Sequence, residues 1–201
     1  MSTSSNLINK AVEQLSKFPG IGQKSALRMA LHLLKRPEAD TVELSQAILK
    51  LRTEIKFCKQ CFNLSDADLC NVCKSPSKDQ GLVCIVKDFQ DVIAIENTGQ
   101  YNGLFHVLGG LVSPVDGVGP SDVKIPELLE RVSEGTITEA IIALSSTLEG
   151  DTTEYYIAKK LKALGVKVST LSKGISVGGE LEYADEMTLA RSIRNRVSLD
   201  S

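Results

Sequence analysis

The chain reads as an α+β assembly of several modules: a helical N-terminal part, a small four-cysteine module, an α/β domain with a mostly parallel sheet, and a helical C-terminal tail. Three observations point there. Apolar residues recur at helical spacing over residues 7–56. Two Cys-x-x-C knuckles, Cys58/Cys61 and Cys70/Cys73, stand eight residues apart. Beyond residue 80, short β-branched runs alternate with helical patterns, as buried parallel strands and their connecting helices do.

In the first part, Ile8, Ala11, Val12 and Leu15 form one apolar stripe, Leu27, Ala30, Leu31 and Leu34 a second, and Leu44, Ile48, Leu51 and Ile55 a third. Pro37 marks a break, and Asp40 with Glu43 three residues on resembles a capping box that opens the third helix. Between the first two helices runs Phe18-Pro19-Gly20-Ile21-Gly22-Gln23-Lys24-Ser25-Ala26. Its glycines permit a tight turn and close backbone approach, and it feeds a helix N-terminus whose free N–H groups favour an anion. Lys24 and, one turn later, Arg28 add charge on the same edge. The plainer alternative is a packing turn with two solvated cations.

Four thiolates at this spacing suit one closed, tetrahedral structural Zn²⁺ with no position left for water. Paired disulfides fit poorly, because nothing marks the chain as secreted, and two knuckles without a βαβ opening do not suit a redox motif. An iron site would use the same ligands, and the spacing does not separate it from zinc. The fifth cysteine, Cys84, lies in the apolar run Leu82–Val86 and reads as core.

Strands are expected at Leu82–Val86, Leu104–Leu108, Ala140–Leu144 and Val166–Leu171, with helices near 89–97, 125–134 and 152–164 on both faces of the sheet. Gly165 closes the last of these helices. Residues 109–121 are too rich in Gly and Pro for either element, and a final helix starts near Asp185. The 201 residues suffice for one or two compact units. No apolar run is long enough for a bilayer, and Met1-Ser2-Thr3-Ser4-Ser5 is too polar for a signal peptide, so the expectation is a cytoplasmic protein with no membrane partner. The net charge of −2 is unevenly spread: residues 1–80 carry 12 Lys and Arg against 8 Asp and Glu, leaving +4 in front and −6 behind. A basic front suits phosphate, and an acidic back suits something else.

The Pro-Gly-Ile-Gly turn resembles a helix-hairpin-helix, which grips DNA phosphates without reading sequence. That turn, followed by four knuckle cysteines and an α/β domain, resembles the bacterial recombination mediators of the RecR family over essentially the whole chain. Further matching stretches, in order, are Asp91–Gly99, Tyr101-Asn102-Gly103, His106–Gly110, Ser113-Pro114 with Gly117–Pro120, Glu149–Thr153 and Val177–Tyr183. The resemblance implies a helix-hairpin-helix DNA-binding region over 1–57, a four-cysteine zinc finger over 58–78, a Toprim domain over 79–172 and a C-terminal tail over 173–201. It implies DNA contacts from Gly20, Gly22, Lys24 and Arg28, and one structural zinc on Cys58, Cys61, Cys70 and Cys73. It also implies a homo-oligomeric ring around DNA, a non-enzymatic role in recombinational repair of DNA damage, and work alongside RecO and RecF. Glu149 and Asp151 become candidates for a partner surface or a weak Mg²⁺ site, beside the plainer reading that carboxylates are favoured at a helix start.

Catalytic Toprim domains hold Mg²⁺ on a Glu after the first strand and an Asp-x-Asp after the third. Here those places fall on Lys87 and on Ser145-Ser146-Thr147. The expectation is a domain that keeps the frame without the metal cage. The competing reading is a Mg²⁺-dependent nuclease or primase using Glu96, Glu149 and Asp151. A third is a scaffold that binds only proteins. Ser145-Ser146-Thr147 stands where relatives more often carry Asn-Pro-Thr, and Ser176 where a proline is usual. Neither His32 nor His106 belongs to a nucleophile or general-base constellation. Arg191, Arg194 and Arg196 crowd the last helix near its C-terminus, where the dipole favours cations.

Overall fold

The computed structural model describes residues 4–175 and 178–197; Ser176, Val177 and the first three residues of the polar N-terminus lie outside them. The chain divides into two compact units, Met1–Ile55 and Lys56–Ser201.

The first unit is helical. Helices α1 (Asn6–Leu15) and α2 (Gln23–Leu33) pack around Val12, Ala26 and Ala30, with Ile8, Ala11, Leu15, Ile21 and Leu27 covering that small core. Two alanines at the contact let the helix axes approach closely. Leu31 and Leu34, expected in the α2 stripe, are exposed; the buried side is shifted onto Ala26 and Ala30. Helix α3 (Glu38–Glu54) differs more from expectation. It starts directly after Pro37, so Asp40 is not a cap but a first-turn residue, ion-paired to Arg36 at 2.7 Å. Proline's fixed φ already suits the position before a helix, which leaves no capping role for Asp40. None of its residues is buried, and Leu44, Ile48 and Leu51 face solvent despite their helical spacing.

The second unit opens with a two-stranded antiparallel ribbon, β1 (Lys56–Phe57) with β2 (Leu64–Ser65), followed by the short helix α4 (Asn71–Lys74). The four-stranded sheet then forms from β3 (Asp79–Val86), β4 (Gly103–Val107), β5 (Glu139–Ala143) and β6 (Lys167–Thr170). Its order is β4-β3-β5-β6, and every pairing is parallel. Alternate residues of β3 serve opposite faces, as a pleated strand requires. Val83 and Ile85 pack with Leu128 and Val132 of α6 (Ile125–Ser133) and with Ile157 and Leu161 of α7 (Leu148–Ala163). Cys84 and Val86 pack on the other side with Phe105, Val107 and Val92 of α5 (Phe89–Glu96). Cys84 is thus a core thiol, its pKa pushed up to about 12 by burial.

Asp88 caps α5 in a true capping box with Asp91. Helix α7 starts four residues earlier than the spacing predicts. Thr147 caps it by accepting the Gly150 N–H at 3.1 Å, so Glu149 and Asp151 lie inside its first turn rather than ahead of it. The last helix described is α8 (Glu186–Arg194), capped by Asp185.

Candidate nucleic-acid interface and metal centre

The α1–α2 turn is built by local hydrogen bonds. Phe18 N–H donates to Leu15 O, Ile21 N–H to Phe18 O at 3.1 Å, and Gly20 takes φ +77°, a left-handed conformation that a side chain would strain. Gly22 is the N-cap of α2 and offers no side chain to it. The first N–H groups of α2 therefore have no protein acceptor among the described residues, and the positive end of the helix dipole faces outward. Lys24 and Arg28 are exposed one turn apart and, with Leu27, Leu31, His32 and Lys35, line a shallow groove along α2. Neither makes an ion pair among the described residues. Of the other basic residues nearby, Lys17 is turned back to Glu13 and Gln14, and Arg36 to Asp40, so both are engaged locally. The arrangement presents uncapped N–H groups and two free cations from one edge, the chemistry of an anion site.

The cysteine module brings its four sulfurs within 4.8 Å of one another. Zinc–sulfur bonds of about 2.3 Å in a tetrahedron place sulfurs about 3.8 Å apart, so the set fits one structural zinc after small adjustments. Cys58, Cys61 and Cys70 are buried and Cys73 is half-buried, and four sulfur ligands complete a tetrahedron with no position left for water. Backbone N–H groups already point at the sulfurs: Cys70 N–H donates to Cys58 Sγ at 3.3 Å and Cys73 N–H to Cys70 Sγ at 3.4 Å. Cys70, accepting from the Cys61 and Cys73 thiols, has its pKa held below the ordinary thiol range, while that same shared hydrogen bond pushes Cys61 above it. Four sulfurs so close cannot all carry charge unaided; a central dication removes the conflict.

The knuckle is fastened to the sheet. Cys61 O accepts the Val107 N–H at 2.8 Å, on the outer side of edge strand β4. Phe62, held at φ 62° by its N–H bond to Cys58 O, sets its ring edge-on against His106 at 5.4 Å and lies 5.1 Å beneath Lys124 Nζ. Arg131, nine-tenths buried, donates from Nη1 to Phe105 O at 2.8 Å on the same strand. His106 Nε2 donates to Lys124 O at 2.7 Å. Burial lowers the His106 pKa to about 4, which keeps the ring neutral and unsuited to base chemistry at its interior site. Sequence spacing carries no hint of Phe62, His106 or Arg131 as a cluster; a lone aromatic following a knuckle is the one available signal.

At the C-terminal ends of the strands, Lys87 follows β3, and Ser145 and Ser146 follow β5. A lysine repels a divalent cation, and neutral hydroxyls replace the carboxylates that would anchor one. Asp151 points both oxygens at cations of its own chain: Oδ1 to Lys173 Nζ at 3.2 Å and Oδ2 to Arg191 Nη2 at 3.5 Å. Lys173 also reaches Glu154 at 3.0 Å. These neighbours, Lys173 first, lower the Asp151 carboxyl below its usual range. Glu149 is half-buried and makes no ion pair among the described residues, and Glu96 is exposed at the end of α5. Among the described residues, Glu96, Glu149 and Asp151 do not come together as a group able to hold an ion, and the charged partners of Asp151 are basic. No helix among the described residues is long and apolar enough to cross a membrane.

Family models match in register with these modules. Residues 8–52 match the model described as RecR, helix-hairpin-helix; 55–75 the RecR zinc finger domain of four cysteines; 81–172 the Toprim domain; and 174–197 the RecR C-terminal model. Among curated proteins, the chain is 53% identical over 200 residues to the "Recombination protein RecR" of Flavobacterium johnsoniae, covering 100% of this chain and 97% of the relative. It is 55% identical to that of Bacteroides thetaiotaomicron, over 94% of this chain and 93% of the relative. The counterpart from Porphyromonas gingivalis is 50% identical over 96% and 93%. A helix-hairpin-helix, a four-sulfur metal centre and a Toprim frame in this order, matched along their full length, identify the chain as a member of the RecR family of recombination proteins.

Proposed function

We propose that the chain is a non-enzymatic, sequence-independent DNA-binding protein of recombinational DNA repair, acting as several copies closed around DNA. The observation that carries this is the α1–α2 turn, where uncapped N–H groups meet unpaired Lys24 and Arg28. Gly20 and Gly22 let the backbone approach a phosphate, and the two cations neutralise it. Phosphate contacts fix position without reading bases, so affinity should be indifferent to sequence and steeply salt-dependent. Its first 80 residues, carrying only +4, bind weakly as one copy. Copies around one duplex multiply contacts through effective concentration, which gives a ring its purpose.

Cys58, Cys61, Cys70 and Cys73 would hold the zinc, which supplies rigidity and no chemistry. Modules bounded at 1–57, 58–78, 79–172 and 173–201 follow from this division of labour. Lys87 and Ser145-Ser146-Thr147 support the non-enzymatic reading, because phosphoryl chemistry on a Toprim frame needs anionic ligands at those places. The acidic first turn of α7, with Glu149 and Asp151, suits a basic partner surface; RecO and RecF are the partners that family membership suggests. Exchange of Lys24 and Arg28 for Glu, with duplex binding measured across a salt series, tests the grip. Loss of binding and a flatter salt slope are expected; unchanged affinity and slope would remove the hairpin from the account and favour a scaffold that binds only proteins.

A further inference from the structure

Helix α8 is attached to the α/β domain by charge. None of its residues is fully buried: Leu189 is half-buried, while Met187 and Ile193 are 65% and 66% exposed, so its apolar attachment is small. Among the described residues, its one hydrogen bond to the domain comes from Arg191, to Asp151 Oδ2 at 3.5 Å. Just after β6, Lys173 makes the companion contacts, to Asp151 Oδ1 at 3.2 Å and Glu154 Oε2 at 3.0 Å. The two cations bracket one carboxylate, each taking a different oxygen. The cleft beside them is mixed, with Ser145, Ser172 and Thr188 beside Leu144, Leu171 and Met187.

We propose that Lys173 and Arg191 form an ionic clasp that holds α8 against the first turns of α7 and masks Asp151, so that a cationic partner surface reaches this carboxylate only when the clasp opens. The masking half rests on the assignment of Asp151 to a partner surface; the clasp itself does not. Partly exposed ion pairs of this kind are each weak and are screened by salt, so the clasp opens under mild conditions while the packed sheet stays closed. A partner bearing its own lysines or arginines exchanges one set of ion pairs for another, at little net cost for the release.

Hydrogen exchange of the α8 backbone, followed by mass spectrometry on the full zinc-loaded chain, reads the clasp without any partner. Raising salt should speed exchange in α8 about three- to tenfold, the sum of a few weak pairs. Asp151→Asn should exchange at low salt as wild type does at high salt, with little further response. Equal exchange at both salt concentrations, or no effect of Asp151→Asn, would overturn the clasp. Masking is read separately with a peptide of about ten lysines as probe, long enough to span several ion pairs. The double variant Lys173→Met, Arg191→Met should bind it several-fold more tightly, and adding Asp151→Asn should erase the gain. An unchanged affinity in a variant whose α8 is released would overturn the masking and count against Asp151 as a partner residue, leaving the clasp and the DNA grip untouched.

Discussion

Val107 donates its backbone N–H to the carbonyl of Cys61 at 2.8 Å, joining the metal knuckle to the outer edge of strand β4. An exposed strand edge invites pairing with other chains, and this one is closed by the knuckle together with Arg131 on Phe105 O. The zinc module is therefore part of the sheet's boundary as well as a fold of its own.

Loss of zinc should be felt in the sheet. Chelation, or Cys58→Ser, should lower the stability of the second unit by several kcal/mol, since a structural metal's binding energy is largely folding energy. The Val107 amide should lose its exchange protection in step with zinc content. Full protection at Val107 after the metal is stripped would show the edge to be closed by something else.

Gly150 is required by a close approach. A Cβ there would overlap Ser145 O, a backbone atom that cannot swing aside as a side chain would. Gly150→Ala should destabilise by about 3 kcal/mol, the upper part of the range for overpacking. Urea unfolding measures it, and a change under about 0.5 kcal/mol would mean the α7 start is not as tightly seated as described.

His106 makes stability fall in acid. Its folded pKa of about 4 lies below the ordinary 6.5, so the unfolded chain binds the extra proton first. The contribution is fully present above 6.5 and is lost as pH falls toward 4. It amounts to about 3 kcal/mol in all. His106→Gln, which keeps a donor for Lys124 O, should flatten the stability curve between these values relative to wild type. Parallel curves for the two proteins would contradict the neutral buried ring.

Labelled duplex incubated with Mg²⁺ or Mn²⁺ should stay intact. The places where a catalytic Toprim frame needs carboxylates hold Lys87, Ser145, Ser146 and Thr147, and Asp151 is engaged by Lys173 and Arg191. Cleavage that disappears in Glu149→Gln would reverse the assignment and make the chain a nuclease.

Much of this is readable from the residues, for physical reasons that also explain the gaps. The four cysteines fix their own ligand set by spacing, and β-branched runs such as Leu82–Val86 mark strands because both faces of the sheet are buried. The α2 turn announces itself through its two glycines. Helix starts are less legible: Thr147 and Pro37 set the true beginnings of α7 and α3, whereas apolar spacing shows only where a helix packs. Long-range contacts are invisible. Nothing in the order of residues joins Cys61 to Val107, Arg131 to Phe105 or Lys173 to Asp151, because each pair is made by tertiary folding.

The most direct test of the account is the mass of the particle in solution, by sedimentation, with and without duplex DNA at low and high salt. A multi-copy particle that takes up DNA of any sequence at low salt and releases it at high salt is the predicted result. A single subunit at every concentration, with no bound DNA even at low salt, would contradict it.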